Sequence, residues 1–204
     1  APRHDSAPSR DVAVERRQLG NTGLEVAPLA ISGAHHLPFD GYAEAMDAGV
    51  ELFFWEPRYR EMTRFLQSRK GQEARVITGS FNADAHGIER DLETARRRLR
   101  REQIDLFLLF WARSPARLSP EAFAIMEDLK ARGRVKAIGF STHDRNLAVQ
   151  AIRRSPWDLV MTRHNAAHRG AEEQLFPEAR ARNVGILTFS ALCYGRLLRQ
   201  VRPD

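Results

Sequence analysis

Seven short apolar runs, rich in β-branched and aromatic side chains, recur along the chain: PLAIS (28–32), ELFFW (51–55), RVITGS (75–80), DLFLLFW (105–111), KAIGFS (136–141), DLVMTRHN (158–165) and GILTFS (185–190). Each has strand length. Between them lie segments with helical spacing of apolar positions: Tyr42–Ala48, Glu61–Ser68, Gly87–Leu99, Pro120–Ala131, Arg145–Arg153 and Glu172–Arg182. Ser119 followed by Pro120 and Glu121 marks one helix start, and Gly133 stands just past that helix's end. Strands that alternate with helices and read as nearly continuous apolar runs predict a parallel sheet covered by helices. Periodicity alone suits a doubly wound sheet and a closed barrel equally. Two features favour the barrel. No G-x-G-x-x-G turn follows the first strand, so the main signal of a dinucleotide-binding sheet is missing. The strand ends instead carry polar or aromatic residues on short loops, which is where a barrel assembles its site.

A chain of 204 residues can bury one sizeable core, and its length favours one domain. No run approaches the roughly 20 uninterrupted apolar residues of a membrane span, so no membrane partner is expected. Residues 1–15 read as a flexible N-terminal segment, charged and proline-containing, with no apolar core to make a signal peptide or anchor. Residues 16–204 form the expected barrel domain. The single cysteine, Cys193, has no partner for an internal disulfide and fits a reducing, cytoplasmic compartment. A net charge of +6 raises the question of nucleic acid. The densest basic run, ARRRLRRE (95–102), runs among Leu92, Leu99 and Ile104 at core spacing, so its arginines belong on the wet face of one helix. With no fold element that reads a nucleic acid, the expected partners are a small molecule and, alternatively, a protein.

Several segments resemble those of the aldo-keto reductases. RQLGNTGLEVAPLAIS (17–32) is similar to the hairpin and first strand that open that family, and DAGVELFFW (47–55) to its A-x-x-x-G-I-N-F-F-D. The stretch from Arg97 to Trp111 resembles R-L-x-x-D-Y-I-D-L-x-x-x-H-W, and LKARGRVKAIGFSTH (129–143) resembles L-x-x-x-G-K-V-R-x-I-G-V-S-N-H. FPEARARNVGILTFSALCYGRLL (176–198) is similar to L-P-x-A-R-x-x-G-I-x-V-I-A-Y-S-P-L-x-x-G-L-L. The resemblance runs in unbroken order from about Arg17 to Leu198. It implies an α/β fold of the (β/α)8 TIM-barrel type with an N-terminal hairpin, seven of its eight strands in this chain and the eighth β/α unit missing.

The resemblance also implies a reaction, the reduction of a carbonyl by NADP or NAD in reduced form. In the family a tyrosine donates the proton, a lysine held by an aspartate raises the tyrosine's acidity, and a histidine orients the substrate. The cation is needed because a phenol with an ordinary pKa near 10 is a poor acid at neutral pH. This chain departs from that set. Trp55 stands where the aspartate ends the second strand, Gly79 and Ser80 stand where the lysine ends the third, and Phe110 takes the histidine's place before a retained Trp111. The three lysines, Lys70, Lys130 and Lys136, lie at helix ends or at the start of a strand, away from that rim. Tyr59 is the one match for the catalytic tyrosine, one residue closer to its strand than usual, with Glu56 beside it as a candidate general base or as part of a charge-paired loop with Arg58 and Arg60.

Among the cofactor positions that the resemblance implies, Ser141 matches the serine that contacts the nicotinamide amide, Thr142 stands for the usual asparagine and Met161 for a glutamine. Phe189 takes the place of the stacking tyrosine, for which an aromatic face suffices. Ser190, Leu192 and Gly195 fit the S-x-L-x-x-G turn near the pyrophosphate. Arg163 is expected to point into the barrel mouth, to bind an anion or to pair with a carboxylate such as Glu56. With three of four catalytic positions replaced, two further readings stand beside an active reductase. One is a pseudoenzyme that binds a small molecule or a partner subunit. The other is a metal-dependent hydrolase using the histidines expected at strand ends, His35, His36, His86, His143, His164 and His168. No H-x-H or H-x-x-x-H pair with an acidic partner marks a ligand set, so no metal residues are assigned.

Overall fold

Each of the seven apolar runs is a parallel strand in the computed structural model, which describes residues 15–199. An antiparallel hairpin, β1 (Arg17–Gln18) and β2 (Glu25–Val26), precedes β3 (Ala30–Ser32), β4 (Leu52–Phe54), β5 (Arg75–Ser80), β6 (Ile104–Leu109), β7 (Val135–Thr142), β8 (Leu159–Arg163) and β9 (Gly185–Phe189). The strands pair in sequence order from β3 to β9, the arrangement of a singly wound barrel. Six helices cross between them: α1 (Phe39–Asp47), α2 (Arg60–Leu66), α3 (Ala85–Leu99), α4 (Pro120–Ala131), α5 (Arg145–Arg154) and α6 (Leu175–Ala181). Most of the N-terminal segment expected over residues 1–15 lies outside the described residues.

Strand alternation divides the core in two. Phe53, Trp55, Val76, Phe107, Leu109, Ile138, Phe140 and Val160 face the helix layer. Leu52, Ile77, Leu106, Leu108, Phe110, Ala137, Leu159 and Leu187 face the other way and form one cluster with Leu19, Leu24 and Val26 of the hairpin. Side chains from β4 and β9 meet in that inner cluster because the sheet curls, and the hairpin plugs its N-terminal end. β3 and β9 are its two edges. Gly20 at the hairpin turn has φ +53, and a Cβ there would lie 2.1 Å from the Gly185 nitrogen, so only glycine lets the plug seat against β9.

Two aspartates fasten neighbouring strands at the end opposite the mouth. Asp105 accepts from the Val76 N–H at 2.9 Å, and Asp158 accepts from the Ile138 N–H at 2.9 Å while Lys130 pairs with it at 2.8 Å. Helix starts follow their signals: Asp84, Ser119 and Asp144 each accept from the backbone N–H three residues on. The structure differs from the sequence expectation at several ends, and α1 opens three residues early, at Phe39. β6 stops at Leu109 because Trp111 takes a left-handed φ of +53. α6 begins at Leu175 instead of Glu172, whose carboxylate is drawn into the preceding loop by Arg169 and His164.

Candidate functional site

The C-terminal ends of the strands make the mouth, and register decides which side chains enter it. Ser32 pairs with Phe54 and Phe54 with Ile77, Gly79 pairs with Leu108, and Ser141 pairs with Met161, so these positions share the inner face. Arg163 and Phe189 pair one step higher. Of the replaced catalytic positions, Gly79 and Phe110 therefore meet inside. A Cβ on Gly79 would lie 3.0 Å from the Phe110 ring and 2.0 Å from the Leu108 carbonyl oxygen. Phe110 also packs on Phe54 and Phe81 with ring centroids 5.4 and 5.1 Å away. Aromatic carbon fills the space where the resemblance places a lysine and a histidine.

Trp55 and Ser80 do not join them. Trp55 is fully buried in the helix layer, where its indole N–H donates to the Thr63 hydroxyl at 2.8 Å. Ser80 also faces outwards and donates to Asp91 on α3 at 2.6 Å. The expectation that all the altered positions ring one opening thus holds for two of them, because neighbours along a strand point to opposite faces. The lysines stay away from the mouth: Lys70 pairs with Asp47, Lys130 with Asp158, and Lys136 is the second residue of β7.

Tyr59 sits just before α2 with its ring pressed against Gly33, where a Cβ would lie 2.4 Å from Cδ2. Its hydroxyl donates to Glu56 at 2.8 Å, and Arg58 donates to the same carboxylate oxygen at 3.1 Å and to the phenol oxygen at 3.3 Å. Burial first, then the bond to Glu56, raises the phenol above its usual pKa; Arg58 pulls the other way without reversing the result. The candidate base and the charge-paired loop are thus one structure, with Arg58 as the expected pairing cation and Arg60 as the first residue of α2.

The cofactor positions divide in the same way. Ser141, Met161 and Leu187 form a row across β7, β8 and β9, and Phe189 stands one step above it, paired with Arg163. Thr142 faces outwards, donates to the Ala112 carbonyl at 2.7 Å and accepts from the Asp144 N–H at 3.0 Å, so it serves the loop after β6 and not a ligand. Ser141 accepts from the Trp111 N–H at 2.8 Å. The Ser190 carbonyl accepts from Asn165, Leu192 is exposed, and Gly195 has φ +79 with open space beside it. Cys193 is buried in the same turn.

His143 stands edge-on to Phe189 with ring centroids 4.9 Å apart. Burial, and then the Arg163 charge, holds its imidazole below the ordinary histidine range. His164 bonds Glu172 at 2.8 Å and His168 bonds Asn165 at 3.1 Å, so these histidines are separately engaged. Among the described residues no three metal-ligating side chains converge, and no helix is long and apolar enough to cross a membrane.

Residues 61–204 match the model of the aldo/keto reductase family. The chain belongs to that family. It is 27% identical to the aldo-keto reductase YhdN of Bacillus subtilis over 94% of this chain and 66% of that protein. It is 23% identical to an NADH-specific methylglyoxal reductase of Escherichia coli over 60% of this chain and 38% of that protein. The chain therefore spans less than two thirds of the length of either relative. The holo form of an aldo-keto reductase from Bacillus halodurans superposes with a TM-score of 0.77 at 20% identity, over 94% of this chain and 71% of that one, and confirms the barrel fold.

Proposed function

We propose that this aldo-keto reductase-family chain is an NAD(P)H-dependent oxidoreductase for a small carbonyl compound, in which Glu56, Arg58 and Tyr59 have taken over the proton handling of the missing lysine couple. The hydrogen-bonded trio at the end of β4 carries this reading. In the family a cation held by a carboxylate touches the phenol; here Arg58, held by Glu56, does the same within four consecutive residues. The row of Ser141 and Met161, with Phe189 one step above it on β9, fits a nicotinamide, since it offers a hydroxyl, an adaptable apolar side chain and an aromatic face near one another. When bound, the reduced ring supplies the hydride.

The chain's residues then have two tasks. The row orients the ring, and Tyr59 supplies the proton. Because the Tyr59 phenol is raised above its usual pKa, its proton is present throughout the neutral range, and because it is a weak acid the reaction is slow. Arg58 offsets charge left on the phenol oxygen. A single cysteine, with no partner for an internal disulfide, supports work in a reducing cytoplasm. A binder without turnover is the second reading, favoured by the aromatic filling around Gly79.

Fluorescence titration with NADPH and NADH, followed by a carbonyl panel and Tyr59→Phe, tests the proposal. Saturable cofactor binding with turnover that falls at least about tenfold in Tyr59→Phe supports it. Binding without turnover on any carbonyl moves the assignment to the second reading, and no binding of either nucleotide removes the oxidoreductase reading.

A further inference from the structure

A cleft of about 390 Å³ opens between the loops after β6 and β7, lined by Trp111, Ala112, Arg113, His143 and Asp144. Its floor is built rather than loose. The Trp111 N–H donates to the Ser141 hydroxyl at 2.8 Å, the Ala112 N–H to the Ser141 carbonyl at 2.8 Å, and the Thr142 hydroxyl to the Ala112 carbonyl at 2.7 Å. These three bonds hold Trp111 in its left-handed conformation with the indole 55% exposed at the cleft. An aromatic surface of that size is normally buried, and here the backbone is strained to present it.

One guanidinium and one carboxylate line the cleft beside the indole. The Arg113 guanidinium lies 5.2 Å from the Trp111 ring centroid, exposed, and no carboxylate among the described residues pairs with it. Arg163 stands close enough to His143 to act on its charge. The one acid in the cleft, Asp144, is committed: its carboxylate accepts from the Leu147 N–H at 3.0 Å to cap α5. A planar apolar body would lie on Trp111, and a carboxylate at its end would meet an Arg fork that pairs with no carboxylate among the described residues, Asp144 being held at the start of α5.

Building on the oxidoreductase reading of the adjoining cofactor row, we propose that the substrate is a carboxylate-bearing carbonyl compound, with Arg113 as the residue that selects the charged end and Trp111 as the face on which its body lies. The cofactor's phosphates are the competing use of Arg113, and the test separates the two.

Isothermal titration of the wild-type protein with 4-formylbenzoate and with its neutral methyl ester compares one ring with and without the charge. The carboxylate binds at least about tenfold tighter, as expected for a charge-assisted pair. Arg113→Gln abolishes that preference, and Arg113→Lys recovers part of it. NADPH fluorescence titration of Arg113→Gln gives the wild-type affinity. Equal binding of acid and ester by the wild type overturns the proposal. So does a preference that survives Arg113→Gln, or a loss of NADPH affinity in that variant, which would assign Arg113 to the cofactor. Should the wild type bind neither nucleotide yet still prefer the carboxylate through Arg113, the oxidoreductase reading fails and the anion site stands.

Discussion

Gly33→Ala perturbs the proton-handling trio without replacing any of its members. A Cβ at Gly33 would lie 2.4, 2.6 and 2.8 Å from Cδ2, Cγ and Cβ of Tyr59, against 3.4 Å for the closest ordinary contact. The ring must therefore retreat by about 1 Å. It has little freedom to do so, being 4% exposed and followed directly by α2, whose Thr63 N–H donates to the Tyr59 carbonyl at 2.9 Å. Overpacking of this kind costs about 1–3 kcal/mol, and loss of the Tyr59–Glu56 bond adds about 1 kcal/mol. Gly33 does not occupy a left-handed conformation, so the cost is steric. For a chain of this size the sum corresponds to a fall in Tm of roughly 4–16 °C. Thermal unfolding of Gly33→Ala, Tyr59→Ala and the double variant reads it: the alanine at 33 costs less than about 0.5 kcal/mol once the ring is gone. An unchanged Tm for Gly33→Ala, or an equal cost with and without the ring, refutes the reasoning.

Three further outcomes follow from the same geometry. Asp158→Ala leaves a buried N–H of Ile138 without its acceptor and strands Lys130, at about 3 kcal/mol in urea unfolding, while Asp158→Asn, which keeps an acceptor, costs less; equal effects would contradict the clamp. Glu178, between Arg153 and Arg182, has its carboxyl lowered to about 2. A depressed carboxyl contributes stability above its unfolded pKa near 4.5 and loses it as pH falls towards 2, so carboxyl-resolved NMR should find Glu178 still ionised at pH 3, and an ordinary titration would dismiss the pairing. Ser141→Ala removes the acceptor of the Trp111 N–H and one member of the cofactor row, so both 4-formylbenzoate and NADPH bind more weakly, by about tenfold each; retention of both affinities would contradict that double role.

The fold was legible because a parallel barrel repeats one simple pattern. β5 spans the apolar run 75–80, and α4 covers the segment between its Ser-Pro start and its terminal glycine. What the pattern lacks is the face that each residue occupies at a strand end. Trp55 and Ser80 stand in line with catalytic positions, yet alternation turns them towards the helices, and a shift of one residue there reverses the assignment. The Glu56–Arg58–Tyr59 trio was half visible, since adjacency suggested pairing but not that one guanidinium touches both partners. Arg117 carried no sequence signal. It lies in the loop after β6 and donates to the carbonyls of Ser80 and Asn82, with burial lowering its pKa. Arg113 had one signal, a cation two residues beyond the strand-end tryptophan, which acquires meaning only when the left-handed Trp111 brings ring and guanidinium together.

The most direct test follows a label. The protein is incubated with a carbonyl substrate and reduced nicotinamide dinucleotide deuterated at the transferring carbon, and the product alcohol is analysed by mass spectrometry. Deuterium on the former carbonyl carbon in the wild type, formed at least about tenfold more slowly by Tyr59→Phe at unchanged cofactor affinity, is the expected result. Cofactor binding with no label in any product, or label that appears equally fast without the Tyr59 hydroxyl, would contradict it.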